Sequence, residues 1–325
     1  MWRSPARRGC MARAAGSVYP DAHVVCCVLR KAGLVSAVWP VVVGIDGAHQ
    51  ADHAVRWAVR YSARRGVPVR IVVAAPPRPA ARVMDRLPGR LFRRLNVDGD
   101  AVAARALRIA AEAAPTAPVT AEVAAGTVVK TLVEVSKSAH TLVLDGQGRG
   151  RMGRAVVGSL GTTIARLADC PVAVVRTPGG EPGAGAAAGP VVVGVDGTAS
   201  GIPALDTGFA EAAATGAHLV AVHTWGHAGA TYFSARDAAR WQGEASAEQA
   251  VLSERLAGYS ADFPDVVVQK VVTTGRAAET LAAWAPTAQL VVLGSRRGGG
   301  RTGMASGSTV VAVLRAARCP VMIAR

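Results

Sequence analysis

Short apolar runs alternate with longer amphipathic stretches along this chain, and the alternation is written twice. From Pro40 to Gly47 the sequence reads PVVVGIDG, and from Pro190 to Gly197 it reads PVVVGVDG. A β-branched run closed by Gly, an acidic residue and a second Gly predicts a buried parallel strand that enters a tight turn, where a ligand can approach bare backbone. After the first such run the pattern predicts a helix over 51–65, a strand over 69–75, a helix over 102–114 and a strand near 119–124. A helix over 128–137, a strand over 141–144, a helix near 159–168 and a strand over 172–175 follow. Strands alternating with helices through short connections imply α/β architecture, a parallel sheet with helices on both faces. The expected fold is two tandem doubly wound domains, each a five-stranded parallel sheet flanked by helices. Ligands of such folds sit outside the carboxyl ends of the strands, at the topological switch point.

The duplication extends beyond the opening phrase. GVPVRIVVAA, from Gly66, matches GAHLVAVHTW, from Gly216, at a spacing of 150; CPVAVVR, from Cys170, matches CPVMIAR, from Cys319, at a spacing of 149. These spacings set domain one at 40–176 and domain two at 190–325. The Gly/Ala/Pro-rich segment 177–189 between them reads as a flexible linker. Residues 1–39 stand outside the pattern and read as a disordered leader or a mis-called start, since Met11 or Val35 would leave both copies whole. Each copy ends in a short apolar strand that presents a sheet edge needing cover. The two copies are therefore expected to pair about a pseudo-two-fold axis through Val172–Val175 and Val321–Ala324, as a domain-domain pseudo-dimer. A homodimer stays open.

Composition narrows the partners. Half of the residues are hydrophobic, yet Gly, Pro, Arg or Asp interrupts every run before the roughly 18 apolar residues of a membrane span, which argues against a membrane partner. Five cysteines in no metal-ligand spacing argue against a disulfide framework and favour a reducing cytoplasm. The net charge of +15 lies almost wholly before residue 177. The excess is nearly all arginine, which can attract nucleic acid. It reads as the Arg-for-Lys bias of a GC-rich genome, and 4% aromatic residues leave little to stack bases, so nucleic acid is not expected as a partner.

Candidate chemistry gathers at the carboxyl ends of the strands. Asp46 and Asp196 close the first strand of each copy. After the fourth strand comes a glycine-rich loop, and then Gly158-Ser159 or Gly307-Ser308 opening a helix. Unpaired N–H groups and the positive end of a helix dipole favour an anion there, and glycine lets it come close. Neither copy carries the lysine of a Walker loop, and no G-x-G-x-x-G follows the first strand. No nucleophile, general base, paired carboxylates or metal cluster is evident, so at most slow hydrolysis is expected.

This arrangement resembles the universal stress protein family, in which a strand ending V-G-[IV]-D-G is followed by G-x2-G-x9-G-[ST], a helix and C-P-V before the last strand. The resemblance implies that ATP, or another adenine nucleotide, binds as a regulatory ligand. It assigns the site to Asp46, Ala74, Gly148, Gly158 and Ser159 in the first copy. In the second copy it assigns Asp196, Thr224, Gly294, Gly307 and Ser308. Two positions depart from the family pattern: Asp145 replaces the loop's first glycine in copy one, and Arg297 the second in copy two. Asp145 is expected to put a negative charge near the phosphates, so that Asp145→Gly would strengthen binding. The rival reading is a scaffold whose paired domains recruit partners while the loops hold nothing. An ATP-consuming transferase would need an SGGxDS or HIGH signature, and neither is found. His49 and His53, four apart, lack a third metal ligand and read as a solvated face. His223 stands near the expected pocket, either touching a base or as a satisfied core histidine.

Overall fold

A computed structural model describes residues 38–45, 51–75, 98–146, 159–176, 189–198, 201–225, 238–295 and 303–325. Residues 1–37 of the leader, all of the linker except Gly189, and Asp46, His49, Gly148, Gly158 and Arg297 lie outside the described residues. The first repeat runs β1 (Val41–Ile45), α1 (Asp52–Arg65), β2 (Val69–Ala75), α2 (Gly99–Ala113), β3 (Val119–Ala125), α3 (Val128–Ser136), β4 (Thr141–Asp145), α4 (Ser159–Leu167) and β5 (Val172–Val175). The second runs β6 (Val191–Val195), α5 (Ile202–Thr215), β7 (Leu219–Trp225), α6 (Ala238–Ala257), the single turn α7 (Tyr259–Asp262) and β8 (Val268–Thr274). It closes with α8 (Ala277–Trp284), β9 (Leu290–Gly294), α9 (Gly303–Ala316) and β10 (Val321–Ala324).

Local chemistry sets these bounds. The glycines at the head of the repeated GVPVR and GAHLV phrases end α1 and α5: Gly66 and Gly216 take φ of 62° and 64°, which an L side chain resists. Helix α2 starts three residues before the expected Val102, because the Asp98 carboxylate accepts the Ala101 N–H at 3.2 Å and caps it.

The two repeats share one sheet. Its order is β3-β2-β1-β4-β5-β10-β9-β6-β7-β8, parallel within each repeat and antiparallel at the joint, where Val174 faces Val321, Ala173 faces Met322 and Val172 faces Ile323. Instead of two separate sheets, ten strands form one, and the edges left by β5 and β10 cover each other. Alternation along the strands splits the core into two layers. Val41, Val43 and Ile45 pack on one face with α1 and α2, and Val42, Leu142 and Leu144 on the other with α3 and α4; the second repeat follows the same scheme. The antiparallel joint sends the carboxyl ends of the two repeats to opposite edges of the sheet.

Polar contacts across the joint follow the same pseudo-symmetry. Arg176, just after β5, donates to the carbonyls of Leu314 (2.9 Å) and Arg315 (2.8 Å) at the end of α9, and Arg325, just after β10, donates to Ala165 at the end of α4. One contact breaks the symmetry. Tyr61 of α1 and Glu211 of α5 are equivalent at the spacing of 150, and Arg65 binds both, pairing with the buried Glu211 carboxylate and stacking 3.8 Å over the Tyr61 ring. Among the described residues no helix is long and apolar enough to cross a membrane.

Candidate functional site

The strand order reverses between β1 and β4 in the first repeat and between β6 and β9 in the second, which are the switch points of the two halves. They differ in how soon the strands part. β1 and β4 remain paired through Gly44 and Leu144, whereas the pairing of β6 with β9 ends at Val193 and Val292. A cleft of about 200 Å³ lies there, between the ends of β6, β7 and β9 and the helices α8 and α9.

Its lining is mixed. Val222, Leu281, Leu293 and Val310 form an apolar wall; Gly194, Gly201 and Gly294 bring backbone to the surface; Asp196, Thr224 and Thr309 supply oxygen atoms. Glycine at 194 has a packing reason, since a Cβ there would stand 3.0 Å from Leu293 Cδ2 and 3.2 Å from Leu281 Cδ1. The exposed Asp196 turns its Oδ1 to its own turn, accepting the Thr198 N–H at 3.0 Å and the Thr198 hydroxyl at 2.7 Å. Three residues assigned from the sequence, Asp196, Thr224 and Gly294, thus share one cleft. Gly307 and Ser308 do not open a helix, because α9 already begins at Gly303. In the first copy Ser159 does begin α4.

The first repeat is built differently at the corresponding positions. Ala74 is buried, and Leu132 packs so closely on Gly44 that a Cβ there would lie 2.6 Å from Leu132 Cδ1. Asp145 is not a loop residue. It extends β4 by one position, opposite Val175, and strand alternation puts its side chain on the face of Val143, away from that of Leu142 and Leu144. That face is opposite to the one on which the equivalent strands of the second repeat line the cleft with Val222 and Leu293.

His223 is the satisfied core histidine of the two readings: buried, it has its Nδ1 2.8 Å from the Val195 carbonyl oxygen and its Nε2 2.8 Å from Glu248 Oε2. It does not line the cleft. No sequence signal announced Glu248, since its pairing with His223 on β7 is fixed only by the fold. Among the described residues no group of three His, Cys, Asp or Glu side chains could hold a metal ion.

Fold and cleft together define a tandem doubly wound α/β protein with a polar-rimmed crevice at a switch point. The model of the universal stress protein family matches residues 40–176 and 188–325, and the chain belongs to that family. It is 36% identical over 298 residues to universal stress protein Rv2005c of Mycobacterium tuberculosis, covering 88% of this chain and 96% of that protein. Universal stress protein Rv2623 of the same organism is 34% identical over 288 residues, with the same coverage. A universal stress protein crystal structure from Archaeoglobus fulgidus has a similar fold, with a TM-score of 0.63 at 16% identity over 89% of this chain and 96% of that one.

Proposed function

We propose that the cleft of the second repeat holds an adenine nucleotide, ATP or a close relative, and that the protein is a cytoplasmic stress-response regulator whose conformation or partner binding follows occupancy. The observation that carries this reading is the meeting, in one cleft at the β6/β9 switch point, of a carboxylate, hydroxyls, bare glycine backbone and an apolar wall. Each suits one part of the ligand: the apolar wall a base, Asp196 a ribose hydroxyl, and the bare backbone of Gly194, Gly201 and Gly294 the close approach of sugar and phosphate. The volume falls below the ~300 Å³ of sites that enclose a drug-sized ligand. Base and sugar would enter, and the phosphates would extend along the sheet edge toward solvent. Turnover would be slow, because among the described lining residues the one carboxylate, Asp196, is engaged by Thr198 and assigned to the sugar.

The first repeat is read as structural. Buried Ala74, Leu132 seated on Gly44 and the longer β1/β4 pairing support that division. Mass spectrometry of the chain purified without added nucleotide, followed by calorimetry with ATP, ADP and AMP, tests the reading. Binding in the micromolar range is expected. Absence of heat with all three would leave the scaffold reading, in which the ten-stranded sheet holds two halves together for a protein partner.

A further inference from the structure

The turn that carries Asp196 is gripped on both sides from a single helix. Before Asp196, the carbonyl of Val195 accepts from His223 Nδ1 at 2.8 Å, and the other ring nitrogen of His223 meets Glu248 of α6, also at 2.8 Å. After Asp196, the carbonyl of Gly197 accepts from Arg255 Nε of α6 at 3.2 Å. The turn also lies against this helix, since a Cβ at Gly197 would stand 3.5 Å from Val251 Cγ1 and 3.7 Å from His223 Cε1. The His223 ring thus bridges the Val195 carbonyl in the turn and the Glu248 carboxyl on α6. The contact between His223 and Glu248 crosses from β7 to α6, with the Glu248 side chain 34% exposed. The position equivalent to His223 in the first repeat is Val73, buried and apolar, so the arrangement belongs to the second repeat alone.

We propose that His223 and Arg255 are positioning residues for Asp196, which tie the ligand-bearing turn to α6 so that occupancy of the cleft and the seating of α6 are coupled. This rests on the nucleotide reading of the cleft. Coupling is reciprocal: whatever loosens α6 weakens the ligand, and the ligand tightens α6 by the same factor.

Hydrogen exchange and nucleotide calorimetry on the full chain test the proposal together. In the ligand-free chain, Arg255→Ala and Glu248→Ala are expected to speed exchange at the Thr198 and Gly201 amides, which bond to Asp196 Oδ1 and the Thr198 carbonyl within this turn. The same variants should weaken AMP and ATP binding by about tenfold, within the range of ordinary coupling. Arg255→Lys and Glu248→Gln, which keep a donor and an acceptor, should recover part of both effects. In the wild type, AMP should slow exchange in α6 and move the ring-nitrogen NMR signals of His223. Unchanged exchange at Thr198 and Gly201 in both alanine variants would overturn the proposal, as would unchanged affinity. Failure of the wild type to bind any nucleotide refutes the reading of the cleft instead, and ligand-free exchange then decides the grip alone.

Discussion

Cys170 and Cys319 occupy equivalent positions before β5 and β10, and both are buried and free. Burial pushes the thiol of Cys170 up to about 11 and that of Cys319 up to about 12. Thiolate is the reactive form, so both should resist alkylation in the native chain and be labelled only on unfolding. Peptide mass spectrometry after a brief iodoacetamide pulse checks this; labelling of either at native stability would refute it. A second consequence concerns pH. The unfolded chain loses these protons near the ordinary value of 9.0, while the folded chain keeps them up to about 11 and about 12. Above pH 9 the unfolded state therefore binds fewer protons than the native one, and stability falls as pH rises. It is fully present below pH 9. Denaturant midpoints from pH 8 to 11 should decline in the wild type, and less steeply in a Cys170→Ala, Cys319→Ala double variant. Burial raises the phenol of Tyr61 as well, so part of the decline remains in that variant.

Helices α1 and α5 show how little of an interface a repeat can dictate. Tyr61 and Glu211 are the same position in the two copies, and Arg65 serves both, so unlike halves fit where like halves would set Tyr61 against Tyr61 or Glu211 against Glu211. Removing one partner of a buried ion pair leaves the other uncompensated. Glu211→Ala should cost about 3–5 kcal/mol, whereas an apolar pair of similar volume, Arg65→Met with Glu211→Leu, should be close to neutral. Chemical denaturation of the two variants distinguishes these outcomes; equal losses would contradict the account. At the other contacts across the joint, Arg176→Ala removes two charge-assisted bonds to the end of α9 and should cost about 1.5–3 kcal/mol. What could be read from sequence follows the same division. The apolar runs and the twofold phrase placed strands and helices to within a few residues, because periodicity is a local property. Glu248 and Arg255 stayed hidden because their meaning comes from contact with residues 25 and 58 positions away. Asp145 was placed in the loop instead of the strand for a related reason. Its role depends on which face of β4 it leaves, and one added strand residue settled that.

At the scale of the molecule, two copies of one phrase end in two different crevices. The antiparallel joint of β5 with β10 sends them to opposite edges of the ten-stranded sheet, so one ligand cannot bridge them, and each must be judged by its own walls. In the second half the strands part after Val193, and Gly194, Asp196, Thr224 and Gly294 line the opening. In the first, β1 and β4 hold together through Gly44 and Leu144, and Ala74 is buried behind them. Changing a charge that leaves the sheet on the other face does not part these strands. Calorimetry should accordingly return one nucleotide per chain. Asp196→Ala should weaken binding by about 1–3 kcal/mol, the cost of losing a hydrogen-bonding partner for the sugar. Asp46→Ala should leave it unchanged, and Asp145→Gly should add no second site. Two equivalents in the wild type would mean that the first crevice opens despite its longer strand pairing. One equivalent that survives Asp196→Ala and vanishes with Asp46→Ala would move the site to the other edge of the sheet, and with it the coupling to α6 would fall.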